Sequence, residues 1–312
     1  MWVLFAFGSA IFAGITAILA KYGIRDTDSN LATAIRTVFV LLFAWLMVFI
    51  VGSQNQLSTI SSHTLLFLIL SGLATGASWL FYFKALQMGS VSKVTPIDKS
   101  SLLMTMLLAM IFLDEGITAL KVVCMILIGV GTWLMIQKDS EENPTPDHGA
   151  ENDSPTPGHA GAGGPDEPVN KQSGRWMLYA FLGAVFAALT SILGKIGIQG
   201  VESNLGTAIR TVVVLVMAWV IVFLTGKQRA LRQIDRRSWL FLILSAFATG
   251  ASWLCYYRAL QDGPASVVAP IDKLSIVVTV FLSYLFFKEK LSTRGWVGLG
   301  LIVAGTLLLL TA

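Results

Sequence analysis

The two halves of this chain repeat each other almost without a gap. Residues 2–137 recur as residues 176–311, with each position 174 residues further on. Three blocks carry the repeat most clearly: Ser29–Thr37 returns at Ser203–Thr211, Thr75–Trp79 at Thr249–Trp253, and Pro96–Lys99 at Pro270–Lys273. Each copy holds five apolar stretches, and because five is odd the second copy must start on the opposite side of a membrane. Two inverted copies of one unit are the plan of many secondary transporters.

The composition agrees with a membrane protein. The chain is 55% hydrophobic and only 13% charged. A helix needs about 20 apolar residues to cross about 30 Å of hydrocarbon, and ten stretches of that kind cannot share one soluble core. We therefore predict an all-α integral membrane protein, with ten transmembrane helices in two inverted five-helix repeats. The predicted helices are 2–24, 29–52, 63–87, 91–113, 117–137, 176–198, 203–226, 237–261, 265–287 and 291–311.

Three domains follow from the same pattern. The first repeat covers residues 1–137 and the second covers residues 175–312. Between them, residues 138–174 are rich in Asp, Glu, Pro and Gly and contain almost nothing that could be buried. Such a composition predicts a disordered hydrophilic linker.

Lysine and arginine are distributed unevenly between the predicted loops. Fifteen lie on the side of the linker, whereas the opposite side has only Lys121, Lys195 and Arg258. Cytoplasmic loops carry the excess of these residues. We therefore expect a multi-pass inner-membrane protein with a cytoplasmic linker and both termini outside.

Ionisable residues recur in pairs within the apolar stretches. A charge at membrane depth costs about 2.5–3.5 kcal/mol on insertion scales, so such residues usually face the protein interior. The alternative is structural anchoring, in which a long side chain reaches the headgroups. On the interior interpretation, we hypothesise that each arginine pairs with the aspartate of its own repeat and guards one mouth of a central cavity. The pairs are Arg36/Arg210, Asp98/Asp272 and Lys99/Lys273.

Aromatic residues follow the repeated Gly-Ala-Ser motif in both halves. Trp79 and Tyr82 in the first half correspond to Trp253 and Tyr256 in the second. These rings are candidates for stacking on a substrate, although tryptophan also anchors helices at membrane interfaces.

A proline stands in the first turns of the fourth and ninth predicted helices. Pro96 and Pro270 are compatible with an ordinary helix start, because the first amides of a helix lack intrahelical partners. They are also compatible with a short irregular segment that exposes backbone groups to a ligand. The sequence leaves both alternatives open.

Signals for an enzyme or a cofactor site are missing. Ser78 and Ser252 lie in Gly-Ala-Ser-Trp rather than in a nucleophile elbow. The three histidines have no metal-ligand spacing, and no phosphate-binding glycine motif is present. We expect no catalysis, no cofactor, no metal and no nucleic-acid partner.

The repeated blocks resemble the EamA-like branch of the drug/metabolite transporter (DMT) superfamily. Residues 29–37, 75–79 and 91–99 carry the resemblance, as do the loop acids Glu115 and Glu289. It implies a ten-helix bundle with a cavity that opens alternately to each side and carries small polar solutes. Two features depart from that pattern: family members usually keep both termini in the cytoplasm, and helices 1 and 6 lack the glutamate of small multidrug exporters.

These observations predict a secondary transporter for an amino acid-like solute or an organic anion. The cavity is expected between helices 2, 3 and 4 and their equivalents 7, 8 and 9. Asp98 and Asp272 are candidate proton carriers, and ion coupling and a homodimer are open alternatives to uncoupled transport by a monomer. The rival hypothesis is a non-transporting membrane scaffold or sensor. The duplicated charges favour the carrier, because a scaffold has no need of the same charges in both orientations.

Overall fold

A computed structural model describes residues 1–23, 27–88, 97, 100–136, 175–288 and 291–311. Helices and short 3₁₀ segments account for the regular structure of these ranges, and no strand occurs in them. The linker prediction for residues 138–174 lies outside the described residues. The helices are α1 (Trp2–Gly23), α2 (Ser29–Val51), α3 (Ser62–Met88), α4 (Ser101–Phe112), α5 (Ala119–Ile136), α6 (Arg175–Ile198), α7 (Ser203–Leu224), α8 (Arg236–Asp262), α9 (Ala265–Lys273), α10 (Ser275–Phe287) and α11 (Thr293–Leu308).

The described helices agree with a protein that crosses a membrane many times. Eight segments are long and apolar enough to span a bilayer, and α9 and α10 together form one of them. The helices at Ser101–Phe112 and Ala119–Met135 are apolar but shorter. They fall within the predicted helices 91–113 and 117–137, parts of which lie outside the described ranges, so the count of ten spans stays a prediction.

The two repeats fold locally in the same way. Asp28 caps α2 by accepting hydrogen bonds from the amides of Asn30 (3.0 Å) and Leu31 (3.2 Å). Glu202, the equivalent residue, caps α7 by accepting from the amides of Asn204 (3.0 Å) and Leu205 (3.1 Å). A side-chain oxygen at this position satisfies amides that have no intrahelical partner.

The equivalent helices α2 and α7 run antiparallel to each other. Lys227, just beyond the end of α7, lies 3.7 Å from the carboxylate of Asp28 at the start of α2. At the opposite end, Gln56 follows α2 and accepts a hydrogen bond from the amide of Glu202 at the start of α7 (3.1 Å). Ser29 and Ser203 therefore stand at opposite ends of the helix pair, as the inverted repeat predicts.

Packing takes place mainly between the two halves. α1 packs along α8, and the equivalent pair α6 and α3 pack in the same manner. α2 packs on α7, and α5 packs on α11. Each half consequently buries its helix faces against the other half, and together they form a single intertwined bundle.

Glycines allow the closest of these approaches. A Cβ atom on Gly76 of α3 would stand 2.5 Å from Cβ of Met217 on α7, and one on the equivalent Gly250 of α8 would stand 2.6 Å from Cδ1 of Phe43 on α2. Small residues let helix backbones approach in this way in membranes. Gly300 of α11 differs, because a Cβ there would meet nothing within 4 Å.

Candidate functional site

A polar cavity of about 350 Å³ lies between six helices drawn from both halves. Cavities of this size accommodate small-molecule ligands. Charged, hydroxyl and aromatic side chains converge on it. Its lining consists of Ala13 from α1, Thr75, Ser78 and Trp79 from α3, Ala187, Thr190 and Ser191 from α6, Arg210 from α7, Ser252, Trp253, Tyr256 and Tyr257 from α8, and Asp272 and Lys273 from α9.

Arg210 is the most deeply buried charge of this cavity, with only 2% of its surface exposed. Its Nε donates to Oγ of Ser71 (2.9 Å) and its Nη2 donates to Oγ1 of Thr75 (2.7 Å). Its guanidinium carbon lies 5.3 Å from the ring centroid of Trp253 and 4.7 Å from that of Tyr257. These distances are in the range of cation–π attraction. The hydroxyls and rings thus hold the cation inside the protein.

The third nitrogen of the same guanidinium is not satisfied. Nη1 of Arg210 is buried and has no hydrogen-bond partner in the described part of the chain. A buried donor without a partner costs about 1–3 kcal/mol, and more when it is charged. Because Arg210 lines the cavity, an acceptor bound there would relieve that cost.

Asp272 stands on the same cavity but is held by α1. Oγ of Ser9 donates to Oδ1 of Asp272 (2.6 Å). Ser9 is in turn connected to α8, since Oγ of Ser252 donates to the carbonyl oxygen of Ser9 (3.1 Å). The carboxylate is therefore fixed by a hydroxyl network that joins the two halves.

The helix that carries Asp272 is broken just after it. α9 continues through Pro270, ends at Lys273 and is followed by α10 from Ser275. Across the break, the amide of Leu274 bonds to the carbonyl of Ile271 (2.9 Å), a tighter pattern than that of an α-helix.

The first repeat has a matching turn. The amide of Ser100 bonds to the carbonyl of Ile97 (3.1 Å), and α4 starts at the next residue. Pro270 therefore stands inside α9, and the irregular point of this segment lies after the proline. An irregular segment that exposes backbone groups to a ligand stays a prediction. Pro96 lies outside the described residues.

The structure brings together most of the residues predicted for the site. Arg36 and Tyr82 do not line this cavity, and Asp98 and Lys99 lie outside the described residues. Tyr82 instead packs near Ala85 and Ala180, where α3 meets α6. The predicted residues that do line the cavity are Trp79, Arg210, Trp253, Tyr256, Asp272 and Lys273.

The predicted ion pair between Arg210 and Asp272 is not formed. Both residues are described, and neither takes part in an ion pair with the other within 4.0 Å. Arg210 bonds to hydroxyls of α3 and Asp272 to a hydroxyl of α1. The predicted Arg36–Asp98 pair involves a residue that the structure does not describe.

The set of lining helices also differs from the prediction. Helices α1 and α6 contribute to the cavity, and α2 does not. Sequence reasoning missed Ser9, Thr190 and Tyr257. A signal for Thr190 exists, because this hydroxyl recurs at Thr16 inside another otherwise apolar stretch.

The contact that Arg36 makes is equivalent to a contact of Arg210. Its Nη2 donates to Oγ1 of Thr249 (2.6 Å), which is the equivalent of the Arg210–Thr75 bond. The hydroxyl of Thr249 lies 3.4 Å from that of Thr16, as that of Thr75 lies 3.3 Å from that of Thr190. Each arginine therefore reaches across to a threonine of the opposite repeat. The side chain of Arg36 thus contacts α8.

Among the residues that the structure describes, no group of three or more His, Cys, Asp or Glu side chains could hold a metal ion. The chemistry available at the cavity is that of two cations, one carboxylate, several hydroxyls and four aromatic rings. This set suits recognition of a small charged molecule.

Comparison with known proteins identifies a family. The sequence profile of the EamA-like transporter family matches residues 1–137 and 174–311. An uncharacterized transporter from the cobO 3′ region of a Sinorhizobium species is 49% identical over 134 residues, which are 43% of this chain and 95% of that protein. Half of this chain thus corresponds to nearly the whole of that relative.

A second relative has a named cargo. The probable 4-amino-4-deoxy-L-arabinose-phosphoundecaprenol flippase subunit ArnE of Aeromonas hydrophila is 38% identical over 69 residues, or 22% of this chain and 60% of that protein. A protein of known crystal structure covers 99% of this chain and 95% of its own, with a TM-score of 0.76 and 14% identity. At that identity the likeness shows the fold alone.

Proposed function

Since the chain belongs to the EamA-like transporter family, we propose that it is a secondary transporter that binds a small zwitterionic or anionic metabolite in the cavity around Arg210 and moves it by alternating access. Amino acid-like solutes and organic anions are the solute classes that fit this proposal. The membrane is the bacterial inner membrane, with the linker in the cytoplasm and both termini outside.

The observation that carries the proposal is the unsatisfied Nη1 of Arg210. A guanidinium presents donors in a rigid fork that matches a carboxylate or a phosphate. Here two of its nitrogens are occupied by Ser71 and Thr75, and the third is left for a ligand. Lys273 adds a second cation to the same cavity.

Asp272 supplies the complementary charge for a zwitterion. The hydroxyl of Ser9 donates to its Oδ1, and the residue lines the same cavity as Arg210. An ammonium group at Asp272 and a carboxylate at Arg210 would each gain a charged partner. Trp79, Trp253 and Tyr256 offer apolar faces for the remainder of the solute.

The crossed arginine–threonine bonds support alternating access. Arg210–Thr75 ties α7 to α3 and Arg36–Thr249 ties α2 to α8. Because α2 and α7 are antiparallel, these ties stand toward opposite ends of the bundle. When the two arginine–threonine bonds break in turn, the bundle opens at one end at a time. In a proton-coupled cycle, Asp272 would be the residue that carries the proton.

A counterflow assay tests the proposal. Purified protein in liposomes loaded with one solute is given the same solute in labelled form outside, across a panel of amino acids, organic anions, sugars and cations. We expect saturable uptake of at least one zwitterion or anion, and loss of that uptake in Arg210→Gln. A protein that is folded but moves no solute of the panel would instead support the scaffold or sensor.

A further inference from the structure

The α4–α5 loop holds the start of α9 from the other half of the molecule. Glu115 of this loop accepts hydrogen bonds from the amides of Ala265 (2.5 Å, at Oε1) and Ser266 (2.8 Å, at Oε2). These are the first two residues of α9. Both carboxylate oxygens are therefore used to cap one helix whose sequence position is 150 residues away.

A buried lysine completes the contact. Nζ of Lys195 on α6 lies 3.6 Å from Oε1 of Glu115, and the two side chains are only 11% and 9% exposed. The same Nζ donates to the carbonyl of Gly263, just before α9. We call Glu115, Lys195 and the residues Gly263, Ala265 and Ser266 the α9 clamp. It joins three elements through charged hydrogen bonds, which are about twice as strong as neutral ones.

The residue before Glu115 has a left-handed backbone conformation. Asp114 has φ 50°, in the region that few residues other than glycine adopt. Lys288, its equivalent in the second repeat, has φ 55° and is the C-cap of α10. A left-handed residue commonly ends a helix, so the two repeats end these helices in a similar way.

The clamp and the cavity lie at the two ends of the same short helix. α9 has nine residues, and those from Ala265 to Ile271 are buried. Asp272 and Lys273, at its other end, line the cavity. At about 1.5 Å per residue, roughly 10 Å separates the clamp from Asp272. α9 also packs on α1 and α4, and the clamp holds the end of α9 that lies away from the cavity.

We propose that Glu115 is a positioning residue for transport: by capping α9 it sets where Asp272 and Lys273 stand in the cavity, and Lys195 holds Glu115 in place. This rests on the proposed function, in which the cavity is the solute site. The structure shows a cap, on a helix of the opposite repeat.

The test measures the position of α9 separately from flux. Cys124 and Cys255 are replaced by Ala and Ser, and Lys273→Cys provides a single thiol at the cavity. The rate at which a water-soluble methanethiosulfonate reagent labels this thiol reports the position of the end of α9. Transport is measured separately, in protein that keeps Lys273. The KM and the maximal rate of counterflow are determined there for the same clamp variants.

Glu115→Gln keeps the size of the side chain but loses the charge and one of the two acceptors. We expect a change of about fivefold or more in labelling rate, and a rise in KM of about tenfold that exceeds the fall in maximal rate. Ser292→Ala, which removes the cap of α11, is the matched control and leaves both readouts within about twofold.

The double variant Glu115→Gln/Lys195→Met separates positioning from stability. In Glu115→Gln the buried Lys195 has lost its anionic partner. Replacing this lysine by Met removes the unpaired cation, so thermal stability recovers. The cap is not restored, so the KM and the labelling rate stay altered. If Glu115→Gln does not fold, Lys195→Met alone keeps the cap hydrogen bonds and gives a smaller change in the same direction.

Unchanged labelling and KM in folded Glu115→Gln overturn the proposal. Equal effects of Glu115→Gln and Ser292→Ala overturn it as well, because they indicate general loosening. If the wild type moves no solute while Glu115→Gln still alters labelling, the clamp stands and the proposed solute or transport function fails.

Discussion

Arg36 and Arg210 occupy equivalent positions in the two repeats, but their surroundings differ. Arg210 is almost completely buried, with hydrogen bonds to two hydroxyls and two aromatic rings near its guanidinium. Arg36 is half-buried, donates to Thr249, and has an Nε without a hydrogen-bond partner among the described residues. The same residue in the same motif thus has more described partners in one half than in the other, and each arginine keeps one nitrogen without a partner among the described residues.

The bundle is therefore asymmetric, although the sequences of its two repeats correspond position by position. The hydroxyl of Ser71 accepts from Arg210, whereas its equivalent, Ser245, donates to the carbonyl of Leu242. Part of the difference between the two arginine sites comes from the sequence, because Tyr257 of the second repeat corresponds to Phe83 of the first. The remainder agrees with the proposed alternating access, because the two ends of such a carrier differ in any single conformation.

The largest expected effect comes from neutralising the two arginines separately. Arg210→Gln leaves Ser71 and Thr75 without their cationic partner and removes the free donor of the cavity, so we expect counterflow to fall about 100-fold or more. Arg36→Gln removes a single described hydrogen bond, and we expect a fall of about tenfold. Initial rates at equal amounts of folded protein in liposomes provide the measurement. Equal losses of counterflow in the two variants would show that the different surroundings of the two arginines do not matter for transport.

Asp272→Asn tests the carboxylate that is fixed by Ser9. We expect about tenfold lower uptake of a zwitterion, because the ammonium group loses its charged partner in the cavity. If Asp272 also carries the proton, the variant becomes insensitive to collapse of the proton gradient. Asp262→Asn, in an exposed ion pair with Arg258, is the control with normal uptake. Gradient sensitivity that persists in Asp272→Asn removes this residue as the proton carrier.

The helix contacts offer a comparison based on stability. In Gly76→Ala the new Cβ would collide with Cβ of Met217, which cannot move without α7, and we expect a loss of about 1–3 kcal/mol. In Gly250→Ala the collision is with the ring edge of Phe43, which can turn, so the loss is smaller. Melting temperatures in detergent measure both. Gly300→Ala, which meets open space, should gain up to about 1 kcal/mol from helix propensity.

The smallest effect is expected at the surface contact between α2 and α7. The side chains of Lys227 and Asp28 are 50% and 24% exposed, at a separation of 3.7 Å. Exposed pairs of this kind contribute about 0.2–1 kcal/mol. Lys227→Gln should therefore lower the melting temperature slightly at low salt and not at high salt. A large loss of stability would mean that this contact holds the antiparallel pair together.

Much of the fold was predictable because hydrophobic length and the odd number of spans are properties of the sequence alone. The starts of α2 and α7 and their antiparallel arrangement are confirmed by Asp28, Gln56, Glu202 and Lys227. The pairing of helices across the repeats was not predictable. A repeat shows which helices are equivalent, but it does not show which helices touch.

The site was predictable only where charge or aromatic character stands out from an apolar helix. Arg210, Trp253 and Asp272 were found in this way. Ser9 and Thr190 were missed because single hydroxyls are common in membrane helices, where they also bond to their own backbone. The prediction of a direct Arg210–Asp272 ion pair was wrong because such hydroxyls were overlooked as partners. In the structure both charged groups bond to hydroxyls of other helices.

Direct binding by the purified protein tests the central claim that the solute binds at Arg210. Isothermal titration is performed with a solute identified by counterflow, on the wild type, Arg36→Gln and Arg210→Gln, each shown to be folded. We predict that Arg36→Gln retains binding within about tenfold of the wild type, and that Arg210→Gln shows none. Binding by Arg210→Gln with the affinity of the wild type would contradict the account.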